Sequence, residues 1–222
     1  MFTGIIQALG QVVCREPRSG DVRLTVGCTA LDLTAAHPGD SIAVNGVCLT
    51  AIALTAHGFT ADVSRETLAL STLGNLTSGA RVNVELALTL ATPLGGHLVS
   101  GHVDGIGQII ERRDDARSLR LRIAVSPDLT RYIARKGSIC VDGVSLTVND
   151  VADAAFALNV VPHTRSHTII DDYRVGTQVN VEVDLIARYL ERLLHGHGAG
   201  CRVTEAASAI TPEFLAQHGF GR

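Results

Sequence analysis

The sequence contains no apolar run close to the roughly 18 residues that a membrane-spanning helix requires. Its first residues lack the basic region and the apolar core of a signal peptide. A basic stripe or block of like charges is also missing: charged residues make up 18% of the chain, and the net charge is -3 with neutral histidines. These absences argue against a membrane or nucleic-acid partner. We therefore expect a cytoplasmic protein whose partner is a small molecule or another protein.

Motifs that hold metals or dinucleotides are equally scarce. The five cysteines form no CxxC pair and do not recur at matching positions of the repeat described below, which favours reduced thiols over disulfides or a zinc site. His195, His197 and Cys201 come nearest to a metal-binding set, but three ligands without a fourth make a poor zinc site. No GxGxxG motif follows a predicted strand, so a nicotinamide dinucleotide site is not expected.

What the sequence does contain is an internal duplication with a spacing of 97 residues, which places Gly4 on Gly101 without a gap. The strongest correspondence joins residues 41–50 (SIAVNGVCLT) to residues 138–147 (SICVDGVSLT). Unrelated positions would agree at roughly one in fifteen to twenty. The spacing is too long for a solenoid repeat but suits a small domain. We predict two domains, residues 1–97 and 98–184, followed by a tail of residues 185–222.

Short β-strand patterns dominate each copy. Residues 22–26 (VRLTV) alternate apolar and polar side chains, as in a strand with one face in water. Residues 45–46 (NG) separate two β-rich runs and are a strong hairpin signal, which the second copy keeps as DG at residues 142–143. About six strands and one small helix fit into each copy without βαβ alternation. The predicted fold is mainly β: two tandem six-stranded antiparallel Greek-key barrels, plus a C-terminal helix.

The tail carries the pattern of that helix. Apolar residues between 185 and 194 fall on one stripe, and Asp184 is placed as a possible N-cap. The glycine-rich residues 195–200 interrupt this pattern, and Pro212 stands as at the start of another helix. Two partners suit the apolar stripe: its own barrel, or the same helix of other subunits in a small bundle.

Positions at which the two copies differ chemically are the better candidates for function, because both copies keep what the fold needs. The three differences are Ile5 against His102, Cys48 against Ser145 and Ala87 against Asp184. Each polar member also has a structural interpretation: a hydrogen-bonded histidine, a small buried thiol, a strand or turn serine, and a helix cap. Together they indicate a non-symmetric site on a symmetric scaffold, in which His102 is a candidate general base.

Other polar positions have two interpretations. Thr50 matches Thr147 and Thr67 matches Thr164, which suggests that both barrels bind the same kind of ligand, although threonine is also a common strand residue. Lys136 faces Gly39 of the first copy and is either a charge in a solvated loop or a contact to a carbonyl or hydroxyl group of a ligand.

Four long motifs resemble the lumazine-binding repeats of the riboflavin synthase family, alpha-chain type. They are MFTGI at residues 1–5, VNGVCLT at 44–50, GGHLVSGHVDG at 95–105 and DGVSLTVN at 142–149. Residues 180–185 (NVEVDL) and 210–215 (ITPEFL) fit as well, so the resemblance covers nearly the whole chain.

The resemblance implies a cofactor-free dismutation. Two molecules of 6,7-dimethyl-8-ribityllumazine exchange a four-carbon unit and give riboflavin and a ribitylaminopyrimidinedione. It also implies a homotrimer held by the C-terminal helices, an active site between the N-terminal barrel of one subunit and the C-terminal barrel of another, and possible association with lumazine synthase. The alternative is a lumazine-binding antenna protein of the same fold, which would have no reason to keep Cys48, His102, Ser145, Thr147 and Asp184 together.

Residue roles follow from the resemblance. His102 with Thr147 would take a proton from the 7-methyl group of one lumazine, and Ser145 and Asp184 would assist by hydrogen bonding or proton relay. Cys48 would add to C7 of the other lumazine or hold a nucleophilic water. The implied ligand contacts are Gly4, Ile5, Ile6, Cys48, Leu49, Thr50, Asp62, Val63, Ser64, Arg65, Glu66, Thr67, Gly101, His102, Val103, Lys136, Ser145, Leu146, Thr147, Asn159, Val160, Val161, Pro162, His163 and Thr164.

Overall fold

A computed structural model describes residues 1–196 and 217–218 and places twelve strands in two closed antiparallel barrels. The first barrel contains β1 (Ala8–Arg18), β2 (Asp21–Gly27), β3 (Ser41–Val44), β4 (Val47–Thr55), β5 (Gly58–Val63) and β6 (Arg81–Leu86), in the order β1-β2-β5-β4-β3-β6. Between β5 and β6 lie helix α1 (Arg65–Leu70) and a 3₁₀ turn, Thr72–Asn75.

The second barrel repeats this arrangement. Its strands are β7 (Gly105–Asp115), β8 (Ser118–Ala124), β9 (Ser138–Val141), β10 (Val144–Ala152), β11 (Ala155–Val160) and β12 (Gln178–Val183), in the order β7-β8-β11-β10-β9-β12. Helix α2 (Pro127–Thr130) precedes β9, and α3 (Pro162–His167) with the 3₁₀ turn Ile169–Asp172 precedes β12. The predicted pair of six-stranded antiparallel barrels is confirmed, and the boundaries after residues 97 and 184 stay predictions.

Each barrel is organised around its own apolar interior and a tight hairpin. Phe59 and Ile42 are buried in the first core, and Phe156 and Ile139 occupy the same addresses in the second. Asn45 and Gly46 join β3 to β4 with φ angles of 45° and 76°, and Asp142 and Gly143 join β9 to β10 with 44° and 83°. Two successive positive φ angles are what a two-residue hairpin turn needs, so both predicted hairpins are confirmed.

The two hairpins meet back to back and are clamped by two buried asparagines. The side chain of Asn83 in the first barrel donates to the backbone oxygen of Asp142 at 2.8 Å and accepts from the Ile169 amide at 2.9 Å. Asn180 in the second barrel donates to the backbone oxygen of Asn45 at 2.8 Å and accepts from the Thr72 amide at 2.7 Å. Since each asparagine satisfies backbone groups of the opposite half, both barrels form one compact unit, Met1–Arg188.

The clamp has one chemical asymmetry, because Asp142 stands where the first copy has Asn45. Its Oδ1 accepts the Asn180 amide at 2.7 Å, and its Oδ2 accepts the hydroxyl proton of Tyr173 at 2.6 Å. Burial disfavours the charged carboxylate more than these two bonds favour it, and raises the pKa of Asp142 to about 7.

Asp142→Asn is expected to flatten the pH dependence of stability. The raised pKa means that the folded state binds more protons than the unfolded state, whose aspartates titrate near 3.9, so Asp142 lowers the free energy of unfolding as pH rises from about 4 to 7. Between pH 5 and pH 8 the natural protein therefore loses roughly 2–3 kcal/mol that the variant keeps. Urea unfolding at both pH values measures this difference. Asp153→Asn, at an exposed turn, is the matched control, and an unchanged pH slope for Asp142→Asn would contradict the prediction.

The C-terminal helix α4 (Leu185–Gly196) begins where the sequence predicts. Asp184 accepts the backbone N–H of Ile186 at 3.0 Å, so its predicted role as N-cap is confirmed. Several apolar side chains of α4 are exposed, namely Ile186, Tyr189, Leu190, Leu193 and Leu194. The expected helix start at Pro212, and the metal-ligand set of His195, His197 and Cys201, lie outside the residues whose side chains are described. Within the described part of the chain, no helix is long and apolar enough to cross a membrane.

Candidate functional site

A turn from each half of the chain packs against the barrel of the other half. Phe2 and Val99 form a short antiparallel bridge through two backbone hydrogen bonds of 2.7 and 3.1 Å. Just beyond it, the carbonyl of Gly101 accepts the N–H of Cys48 at 2.8 Å, in the first barrel. The carbonyl of Gly4 accepts the N–H of Ser145 at 2.7 Å, in the second barrel. The surroundings of Cys48 and of Ser145, the matching positions at which the copies differ, are therefore formed by residues of both repeats.

The two glycine turns fit only without side chains. Gly101 has a φ of +82°, and a Cβ atom there would lie 2.6 Å from Cβ of Cys48. Gly4 has a φ of +75°, and a Cβ atom there would lie 2.6 Å from Cβ of Ser145. A left-handed conformation and a close approach both require glycine, so neither turn tolerates a larger residue without moving.

A buried glutamate holds each turn in place. Glu85 accepts from the amide and hydroxyl of Thr3, both at 2.7 Å, and from the Gly4 amide at 3.1 Å. Glu182 accepts in the same way from Ser100, at 2.6 and 2.7 Å, and from the Gly101 amide at 2.9 Å. Burial raises the pKa of both carboxyl groups, and the hydrogen bonds that they accept oppose the shift.

The turn at Gly101 closes a cavity of about 200 Å³ in the first barrel. Its lining comes from β4, the region of α1 and the turn at Gly101 of the second repeat: Val47, Cys48, Glu66, Thr67, Leu70, Ser71, Gly101, His102 and Val103. Six of the predicted contacts thus meet in one place, and they bring a thiol, a carboxyl, a hydroxyl and an imidazole to one small cavity. A larger cavity of about 750 Å³ lies over the Asp142–Tyr173 pair, and none of the predicted site residues lines it.

The other predicted contacts of the first barrel support this cavity. Ser64 caps α1 by accepting the Thr67 amide at 3.1 Å, and the Arg65 amide donates to Asp21 at 2.9 Å. Asp62 forms two hydrogen bonds with Arg23, at 2.8 and 2.9 Å. Leu49 and Val63 point into the core, whereas Thr50 is exposed.

The predicted contacts of the second barrel occupy the matching address. Ser145, Leu146 and Ile6 are half-buried, and Ile5 and Thr147 are exposed. Among residues 159–164, Val160 lies in the core, Thr164 is half-buried, and Asn159, Val161, Pro162 and His163 are exposed. The His163 ring stacks on that of His167 with the ring centroids 4.1 Å apart. Lys136 lies in an exposed turn with a φ of 67°, as its loop interpretation expects.

The polar residues of the second copy do not gather at one site of the chain. His102 reaches across to Cys48 of the first barrel, whereas Thr147 lies on β10 of the second barrel, paired with Ser138. Thr147 is absent from the lining of the His102 cavity. The set divides into a first-barrel site with Cys48 and His102 and a second-barrel site with Ser145 and Thr147.

His97 is a residue that comparison of the copies does not reveal. Its Nδ1 lies 2.7 Å from Oγ of Ser145, and its side chain is buried. Burial lowers the pKa of His97, while the charge of Asp184 opposes this shift. A spacing of 97 residues would place its counterpart before Met1, so His97 has no partner position to differ from. The available signal was the motif GGHLVSGHVDG, which contains both histidines.

Comparisons with known proteins agree with the duplication. Residues 3–87 and 100–184 each match the family described as lumazine binding domain. "Riboflavin synthase" of Photobacterium phosphoreum is 44% identical over 99% of this chain and 99% of its own length. "Riboflavin synthase" of Bacillus subtilis (strain 168) is 39% identical over 99% of this chain and 100% of its own. The solved structure of LumP complexed with riboflavin has the same fold, with a TM-score of 0.76 and 24% identity over 82% of this chain and 99% of that one.

Proposed function

The chain belongs to the riboflavin synthase family and carries two lumazine binding domains, and we propose that it catalyses the last step of riboflavin biosynthesis. In this dismutation, one 6,7-dimethyl-8-ribityllumazine gives up a four-carbon unit to a second one. The products are riboflavin and 5-amino-6-ribitylamino-2,4(1H,3H)-pyrimidinedione. The two products contain the same atoms as the two substrates, so the reaction consumes no oxidant or reductant.

The observation that carries this proposal is the pair of equivalent but chemically different sites. Each barrel presents the first half of a strand, β4 or β10, to a glycine turn from the other repeat. A reaction between two identical molecules needs two similar sites, and it needs the sites to differ because one molecule donates carbon and the other accepts it. The replacement of Cys48 by Ser145, and of His102 by Ile5, supplies that difference.

In the first-barrel site, His102 takes a proton from the 7-methyl group of one lumazine. The Cys48 thiol adds to C7 of the other lumazine or holds the water that does so. Glu66 and Thr67, at the start of α1, form hydrogen bonds with the ribityl hydroxyl groups. Holding two flat heterocycles in a fixed orientation contributes roughly 7–11 kcal/mol of the barrier reduction in well-oriented reactions.

In this proposal, the two barrels of one chain belong to two different active sites, so each barrel binds one lumazine of a different reacting pair. The first barrel of one subunit faces the second barrel of another, which brings both lumazines together. The exposed apolar side chains of α4 form the contact that holds a homotrimer. The enzyme works in the cytoplasm, and a lumazine synthase shell is a candidate partner.

Turnover of the pure substrate tests the proposal. Purified protein incubated with 6,7-dimethyl-8-ribityllumazine, with no cofactor added, is expected to form one riboflavin for every two lumazines consumed, as followed by absorbance and chromatography. Tight binding with shifted lumazine fluorescence and no product would contradict the enzyme and favour a binding protein of the same fold.

A further inference from the structure

The second-barrel site lacks the imidazole that the turn at Gly101 supplies to the first-barrel site, namely that of His102. Ser145 occupies the address of Cys48: the two residues pair with Cys140 and Ala43 at equivalent points of their hairpins. The turn that contacts Ser145 carries Ile5 where the other turn carries His102. An imidazole nevertheless reaches Ser145, from His97 in the segment that precedes the second copy.

The contact between His97 and Ser145 is closely constrained. The histidine is 8% exposed, and its backbone N–H donates to the carbonyl of Thr3 at 3.2 Å. Gly96 lies so near that a Cβ atom on it would be 2.8 Å from Oγ of Ser145. The Nδ1–Oγ distance of 2.7 Å is that of a strong hydrogen bond, whereas Nε2 is buried without a hydrogen-bond partner among the described residues. Ser145 itself is half-buried.

Burial keeps the His97 imidazole neutral, and a nearby negative charge stabilises its protonated form. Burial is the larger effect and lowers the pKa of His97 below its usual 6.5, so the ring is neutral at pH 7. In the tautomer that carries its proton on Nε2, Nδ1 accepts the Ser145 hydroxyl proton. Asp184, at the end of β12, is the charged group that acts on His97. Ser145 on β10 and the Thr3–Gly4 backbone are neutral neighbours. The negative charge of Asp184 stabilises an imidazolium when one forms.

We propose that His97 is a positioning residue that makes Ser145 a proton relay for the lumazine bound at the second barrel. This inference rests on the proposed function. As the new ring forms, a methyl C–H bond breaks, its electron pair enters a carbon–carbon bond, and the proton passes to Ser145 Oγ while the Ser145 proton passes to Nδ1 of His97. When the carbon–nitrogen bond of the leaving pyrimidinedione breaks, the same relay returns a proton to the nitrogen, so no proton is gained or lost over one turnover.

His97→Asn tests the relay because its amide keeps a hydrogen-bonding group near the position of Nδ1 but cannot take up a proton. We expect kcat to fall roughly 10- to 100-fold, while the Kd of riboflavin changes by less than about threefold. The pH profile separates the relay from a structural role. We expect protonation of His97 to lower wild-type kcat on the acid side, and the pH profile of His97→Asn to lack that contribution. His97→Gln is a second variant if the asparagine protein unfolds, and His57→Asn, at an exposed turn, is the matched histidine control.

A double-mutant cycle shows whether His97 acts through Ser145. In the Ser145→Ala protein, His97→Asn is expected to lower kcat no further, because the relay is already broken. Full additivity, or a His97→Asn enzyme with wild-type kcat and an unchanged acid limb, would overturn the inference while leaving the enzyme in place. Turnover of the wild-type protein is measured first, before any variant is compared. A wild-type protein that forms no riboflavin would overturn the proposed function.

Discussion

Replacing Gly101 by alanine is expected to weaken ligand binding at the Cys48 cavity about 10- to 100-fold and to lower the free energy of unfolding by roughly 2–5 kcal/mol. The new methyl group would overlap Cβ of Cys48 at 2.6 Å and Cε2 of Phe2 at 2.8 Å, neither of which lies at the end of a flexible side chain. The turn must therefore move away from β4, which breaks the bond from Cys48 N–H and shifts His102. Lumazine fluorescence titration and urea unfolding measure the two effects.

Gly79→Ala is the control for that variant, because it separates backbone strain from steric overlap. Gly79 has a φ of +88°, close to the +82° of Gly101, but a Cβ atom there would meet no atom within 4 Å. The control is expected to lose only the roughly 1–2 kcal/mol of a left-handed non-glycine residue and to bind lumazine normally. If both variants lost the same stability and Gly101→Ala kept its affinity, the close approach of the turn to Cys48 would have no role in the site.

The fold was predictable because its signals are local and occur twice. The alternation of Val22, Leu24 and Val26 and the hairpin residues Asn45 and Gly46 act over a few positions, and the second copy repeats them. Agreement between two copies of one pattern reduces the ambiguity that a single short strand leaves. The same local logic placed α4 after Asp184, whose side chain accepts the N–H of Ile186.

The partition of the site was not predictable from the duplication. Sequence position assigns His102 to the second copy, but the chain crosses at the Phe2–Val99 bridge and delivers His102 to Cys48 of the first barrel. Such a crossing is made by backbone hydrogen bonds between distant residues, and these bonds leave no periodic pattern. His97 escaped notice for a related reason: it stands outside the repeat, so only its contact with Ser145 reveals it.

His102→Ala is expected to reduce kcat by roughly 100-fold or more, the range for loss of a general acid–base group. The side chain is exposed at the cavity edge, and the residue's backbone N–H, which donates to the Ser100 hydroxyl at 3.1 Å, is unaffected by the change. Lumazine binding should therefore stay close to that of the natural protein, so the loss falls on kcat and not on Kd. Steady-state turnover with a parallel fluorescence titration separates the two quantities.

Chemical rescue distinguishes a proton acceptor from a spacer at His102. Because alanine leaves the edge of the cavity open, imidazole added to the buffer can occupy the lost position and restore part of the turnover in His102→Ala. His57→Ala removes another exposed histidine, from the turn between β4 and β5, and should show neither the loss nor the rescue. Turnover of His102→Ala within about twofold of the natural protein would remove His102 from proton transfer, since a general base contributes at least about 100-fold. The Ser145–His97 pair at the second barrel would then carry the proton transfer, and the two barrels would divide the chemistry differently.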